Sequence, residues 1–175
     1  MATALVVLVP EAEALIGALR RRYDAHGALG VPAHATLLFP FGDDEGGLEA
    51  LFAAAPPFDF DLVATAEFPD TTLYLVPEPA APFVELIETL AARYPEFPRY
   101  GGTHETIVPH VTVGEGVPEG DARRIRAALP IHARAGSVAW LEETEDGRWR
   151  ERRRFALGPG GPNAHEHKAP FGAGR

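Results

Sequence analysis

Residues Ala4 to Val9 are apolar at every position, the pattern of a central strand covered on both faces. At Pro10 the period changes. Ala12, Leu15, Ile16, Leu19 and Tyr23 recur at spacings of three and four, which predicts an amphipathic helix with Glu13, Arg20, Arg21 and Asp24 toward water. Pro10-Glu11 suits its first turn and His26-Gly27 its end. Pro32 to Phe39 then predicts a strand that stops near Pro40, with His34, Thr36 and Leu38 on one face and Ala35, Leu37 and Phe39 on the other. Leu48, Leu51, Phe52 and Ala55 mark a second helix, stopped by Pro56-Pro57, and Phe58 to Phe68 a further strand.

The order then repeats. Thr72 to Glu78 echoes the first strand and its Val-Pro-Glu exit. Phe83, Val84, Ile87, Leu90, Ala91 and Tyr94 form the stripe of a third helix, ended by Pro95. A loop from Glu96 to Glu105 leads to Ile107 to Val113, a short β-branched strand carrying His110 and Thr112 on one face and Val111 and Val113 on the other. Ala122, Ile125 and Leu129 mark a fourth helix. Ser137 to Glu142 and Trp149 to Leu157 form a hairpin around Glu145-Asp146-Gly147. The two halves, roughly 3–71 and 72–158, read as a diverged duplication within one domain spanning residues 1–157. The tail, 158–175, is rich in Gly and Pro and is given no regular structure.

Composition narrows the classes. A chain of 175 residues with 46% hydrophobic content suits one globular domain, and a monomer is expected. No apolar run approaches 18 residues, so no membrane span is expected; no basic residue precedes the first apolar run, so no export signal is read and the cytoplasm is the expected location. Zero cysteines exclude thiol catalysis and Cys-ligated zinc. A net charge of −9 argues against a long nucleic-acid tract as partner but leaves room for a small phosphorylated ligand.

The chemistry concentrates in the two His-x-Thr strands. In each, an imidazole and a hydroxyl lie about 7 Å apart on a face of an otherwise apolar strand, where a polar pair costs free energy unless it is used or paired. His34-Ala35-Thr36-Leu37 and His110-Val111-Thr112-Val113, at matching places in a repeat, resemble the signature motifs of the 2H phosphoesterase superfamily, in particular its bacterial 2′-5′ RNA ligase-like group. Pro109 before the second motif fits that group. The resemblance implies an α+β fold of two pseudo-symmetric lobes with antiparallel sheets around a central cleft. It also implies action on cyclic phosphates, 2′-5′ linkages or other nucleotide phosphodiesters, such as RNA ends.

Two histidines suit phosphodiester chemistry without metal or cofactor. One takes a proton from the attacking water or hydroxyl and the other gives one to the leaving oxygen. Either can be the base. Thr36 and Thr112 are placed to hold the non-bridging phosphate oxygens. Arg99, Tyr100, Phe39 and Trp140 are secondary candidates for substrate contact, and Phe41 and Tyr74 are read as core. The basic run Arg148, Arg150, Arg152, Arg153 and Arg154 reads as a solvated edge strand or a cleft rim. His26, His104 and His132 read as structural or exposed, and His165-Glu166-His167 as too poorly preorganised for a metal. Two rival readings remain: a non-catalytic nucleotide-binding module, and a metal-dependent hydrolase built on His110 and His104.

Overall fold

The computed structural model describes residues 2–97 and 106–158. Eight antiparallel strands form one sheet: β1 (Thr3–Leu8), β2 (His34–Phe41), β3 (Phe58–Glu67), β4 (Thr72–Glu78), β5 (Val111–Glu115), β6 (Ile131–Ala135), β7 (Ser137–Glu143) and β8 (Trp149–Ala156). Their order is β6-β3-β4-β5-β2-β1-β7-β8. The helices are α1 (Pro10–Tyr23), α2 (Ala25–Ala28), α3 (Leu48–Ala54), α4 (Ala81–Arg93) and α5 (Glu119–Ala128).

The sheet is two four-stranded antiparallel lobes that meet at β2 and β5, where Ala35 pairs with Val111. One lobe is β8-β7-β1-β2. The other is β5-β4-β3-β6, one continuous stretch of chain that begins at Phe58 and ends at Ala135. Those two residues are themselves register partners. So β3, in the first sequence half, pairs with β4 of the second, and β7 returns to pair with β1. Helices cross the seam in the opposite sense: α1 lies on β5 and β6, and α4 on β2.

Helix and strand patterning explains the core. Phe83, Leu86, Ile87 and Leu90 of α4 are buried at spacings of three and four, with Leu75, Phe60 and Leu62 in the same apolar cluster. A second, smaller cluster of Ala4, Val6, Val31, Ala139 and Leu141 covers the other face of the first lobe. β1 has residues in both clusters, which is why its apolar run has no polar face.

Four details depart from the sequence pattern. Arg20, expected in water, is only 2% exposed. β6 is an additional strand that lines the edge beside β3. His110 precedes β5 instead of lying within it. In β2 the register slips: Val6 faces Thr36 and Leu5 faces Leu38, so Leu37 is an extra residue. Such a bulge inverts the alternation beyond it. Leu37 and Leu38 both enter the core, and Phe39, assigned by simple alternation to the face away from His34, turns to the same side as His34 and Thr36.

Candidate active site

Ala35 and Val111 are the hinge of the site's geometry. The strands are antiparallel, so the pair sets His34 opposite Thr112 and Thr36 opposite His110. On one face such diagonal positions lie about 7–8 Å apart. That separation lets two imidazoles approach one phosphorus from opposite sides. His34, Thr36, His110 and Thr112 all line one cleft of about 290 Å³.

Both histidines are held the same way. His34 Nδ1 lies 2.7 Å from the carbonyl oxygen of Pro32, and His110 Nδ1 lies 2.7 Å from that of Val108. A carbonyl only accepts, so each Nδ1 carries the proton and donates. Each neutral ring therefore has its lone pair on Nε2. The surroundings differ. Burial pushes the His34 imidazole down to about 4 from 6.5; the Pro32 carbonyl opposes this, Arg20 adds to it, Asp24 opposes and His26 adds. At neutral pH His34 is thus neutral, able to accept a proton.

Aromatic side chains flank each histidine. On the His110 side, Phe68 stacks on Tyr74 at 4.3 Å, and both present to His110 at 5.0 and 5.4 Å. On the His34 side, His26, Phe39 and Trp149 form a triangle with ring centroids 6.2–6.3 Å apart. Ala4, Val6, Val31 and Leu141 complete the apolar wall, and Asp24 lies at its margin.

Of the secondary candidates, Phe39 lines the cleft. Trp140 does not: it is fully buried in the core beside Phe41, with the Arg152 guanidinium 4.2 Å over its ring, and alternation along β7 gives the cleft Leu141 instead. Arg99, Tyr100 and His104 lie outside the described residues, as do His165 and His167. The arginines of β8 are taken up by carboxylates. Arg150 pairs with Glu142 at 2.6 Å, Arg152 with Asp43 at 2.6 Å, Arg153 with Glu45 and Glu49, and Arg154 with Glu151. His132 sits on the outer edge at 2.5 Å from Asp61, remote from the cleft strands. Tyr74, whose pattern reads as core, packs against His110. Nothing in the sequence marks His26 and Trp149 for the cleft: Trp149 sits in a run of arginines and His26 next to a helix-ending glycine, and each local pattern reads as surface. Among the described residues, no group of three His, Cys, Asp or Glu side chains could hold a metal ion.

The sequence matches the 2′-5′ RNA ligase superfamily over residues 8–147. The chain belongs to that superfamily. Its family is thus that of the 2H phosphoesterases, as the paired His-x-Thr motifs imply. A Geobacillus thermodenitrificans (strain NG80-2) protein named "Putative phosphoesterase" is 33% identical over 112 residues, a match spanning 57% of this chain and 60% of that one. In fold, the chain is similar to Escherichia coli LigT complexed with 3′-AMP, with a TM-score of 0.59 at 15% identity over 89% of this chain and 97% of LigT. It is likewise similar to TT0787 of Thermus thermophilus, with a TM-score of 0.60 at 21% identity over 90% of this chain and 98% of that one. The chain spans about 60% of the length of the curated Geobacillus relative. No helix among the described residues is long and apolar enough to cross a membrane.

Proposed function

We propose that this protein is a metal-independent phosphodiesterase acting on 2′,3′-cyclic phosphates or related nucleotide and RNA-end phosphodiesters. The observation that carries this is the matched pair of imidazoles, each with Nδ1 donating to the carbonyl two residues back and each facing the same cleft. In hydrolysis, water attacks phosphorus while its proton passes to His34 Nε2. The bond from phosphorus to one ribose oxygen breaks, and His110 gives that oxygen a proton. The products are a phosphomonoester and a free hydroxyl. Thr36 and Thr112 hold the non-bridging oxygens as charge moves across them. With the 5′-hydroxyl of a second ribose in place of water, His34 takes the hydroxyl proton, the new P–O5′ bond forms, the bond to the 3′-oxygen breaks and His110 protonates that oxygen, which leaves a 2′-5′ linkage.

The apolar wall of Phe39, Trp149 and His26 supports a nucleotide over a smaller diester, because every base offers a face to an aromatic ring. LigT, similar in fold, has been crystallised with 3′-AMP, a phosphomonoester of the class such hydrolysis would release. The strand exchange between lobes supports treating residues 1–157 as one domain.

The test is turnover of a panel of 2′,3′-cyclic nucleotides in EDTA, with His34→Ala and His110→Ala beside the wild type. Turnover that survives EDTA and falls by about 10² or more in each variant is the expected result. Loss of activity in EDTA would sink the metal-free mechanism. Nucleotide binding with no turnover would establish a binding module.

A further inference from the structure

Helix α1 turns four residues fully inward: Ala12, Ile16, Gly17 and Arg20. A guanidinium is costly there, and a position chosen for packing alone would be apolar. Arg20 is not fully paired either, since its Nε has no hydrogen-bond partner. Its other nitrogens are engaged. Nη1 donates to the carbonyl of Val31 at 2.7 Å, and Nη2 pairs with Asp24 at 2.6 Å. Two turns earlier on the same helix, Glu13 accepts from the backbone N–H of Ala33 at 2.8 Å. The helix thus grips residues 31 and 33. Between them stands Pro32, with its restricted φ, and its carbonyl is the one that takes the Nδ1 proton of His34.

Two glycines leave the room this needs. A Cβ at Gly17 would lie 2.4 Å from Glu13 Oε1, and a Cβ at Gly27 would lie 2.6 Å from the Arg20 backbone oxygen. Glycine is unfavourable inside a helix, so α1 gives up helix propensity at the position where a methyl group would displace Glu13.

We propose that Glu13 and Arg20 are positioning residues: they hold the Pro32 carbonyl in place and so keep His34 in the Nδ1-protonated form with Nε2 toward the cleft. The role in turnover rests on the phosphodiesterase reading; the effect on the ring does not. Without a fixed carbonyl, a neutral imidazole exchanges tautomers and presents a donor where a base is needed. Arg20, Asp24, His26 and His110 all border this ring or its cleft, so substitutions among them also change its electrostatics. The tautomer, and not the pH profile alone, is therefore the informative readout.

The experiment compares Gly17→Ala and Arg20→Met with the wild type. Gly17→Ala favours the helix and moves only the carboxylate end of Glu13, so it remains informative if Arg20→Met does not fold. The ring nitrogens of His34, assigned against His34→Gln, are read by ¹⁵N NMR in the ligand-free protein near neutral pH. In the wild type the proton is expected on Nδ1. In the variants that population falls, and kcat drops about tenfold or more, the scale of a misplaced catalytic group, while KM moves far less. Gly17→Ala should stay folded, since its gain in helix propensity offsets part of the lost Glu13–Ala33 bond. An unchanged Nδ1 tautomer in both variants, or wild-type kcat in Gly17→Ala, would overturn the proposal. If the wild type turns over no nucleotide, the phosphodiesterase reading fails, and the ring spectra still decide the positioning role.

Discussion

Ala35 and Val111 face each other where the two lobes join, and this one backbone pair puts each histidine across from the other motif's threonine. Both are fully buried. A larger side chain at position 35 would press on that seam. Ala35→Leu should cost about 1–3 kcal/mol by overpacking. Its kcat should fall further than its stability explains, because the His34–His110 spacing changes. Melting temperature and kcat measured on one preparation separate the two effects.

His34 makes stability depend on pH. Its folded pKa, about 4, lies below the unfolded 6.5, so between those values the unfolded chain binds the extra proton. Stability therefore rises with pH across that window and is lost as pH falls through it. Urea unfolding from pH 4 to 7 should show that slope, and His34→Gln should flatten it.

The same imidazole predicts two different acid limbs. The profile of kcat/KM reports the free enzyme and should fall only near pH 4. A bound phosphodiester anion favours the imidazolium, so the acid limb of kcat should lie at higher pH. Coincident limbs would count against His34 as the base.

Trp149 and Phe39 should act on binding. Replacing either with Ala removes a stacking surface worth about 1–3 kcal/mol per base. KM should rise about tenfold or more by that figure, with kcat little changed. Trp140→Phe, by contrast, should lower the melting temperature and leave KM alone, since Trp140 lies in the core. Steady-state kinetics and thermal unfolding of the three variants check this.

Gly114 tests how β5 is seated. A Cβ there would lie 2.5 Å from Tyr23 Cβ and 2.7 Å from its backbone oxygen. The last turn of α1 thus rests directly on the strand that carries Thr112. Gly114→Ala should destabilise by about 1–3 kcal/mol and reduce turnover, as read by unfolding and by kcat.

Much of this was legible in the chain. Apolar spacing gave the stripes of α1 and α4, and the matching settings of His34-Ala35-Thr36 and His110-Val111-Thr112 pointed to one cleft. What was not legible depends on contacts distant in sequence. Arg20 looks solvated by helical period, but the loop carbonyl of Val31, eleven residues on, gives its guanidinium a partner inside. Phe39 falls on the wrong face until the extra residue at Leu37 is known, and that slip is set by pairing with β1. Residues Ile131 to Ala135 do alternate, but small alanines gave β6 too weak a signal against a helix-ending proline. The arginines of β8 read as a solvated edge strand, which β8 is; that they do not rim the cleft could not be read, because acids that pair with Arg152 and Arg153, namely Asp43, Glu45 and Glu49, lie far back along the chain.

The lobe from Phe58 to Ala135 starts and finishes at one register pair, with Gly136 linking it straight into β7. Such a segment is a cassette with a single attachment point. Exchanged between relatives, it would carry His110, Thr112 and the Phe68–Tyr74 platform together, and leave His34 with its own wall untouched. Half of the candidate site can then change as a unit, provided the incoming piece still fits the underside of α1 and its own α4 still packs on β2.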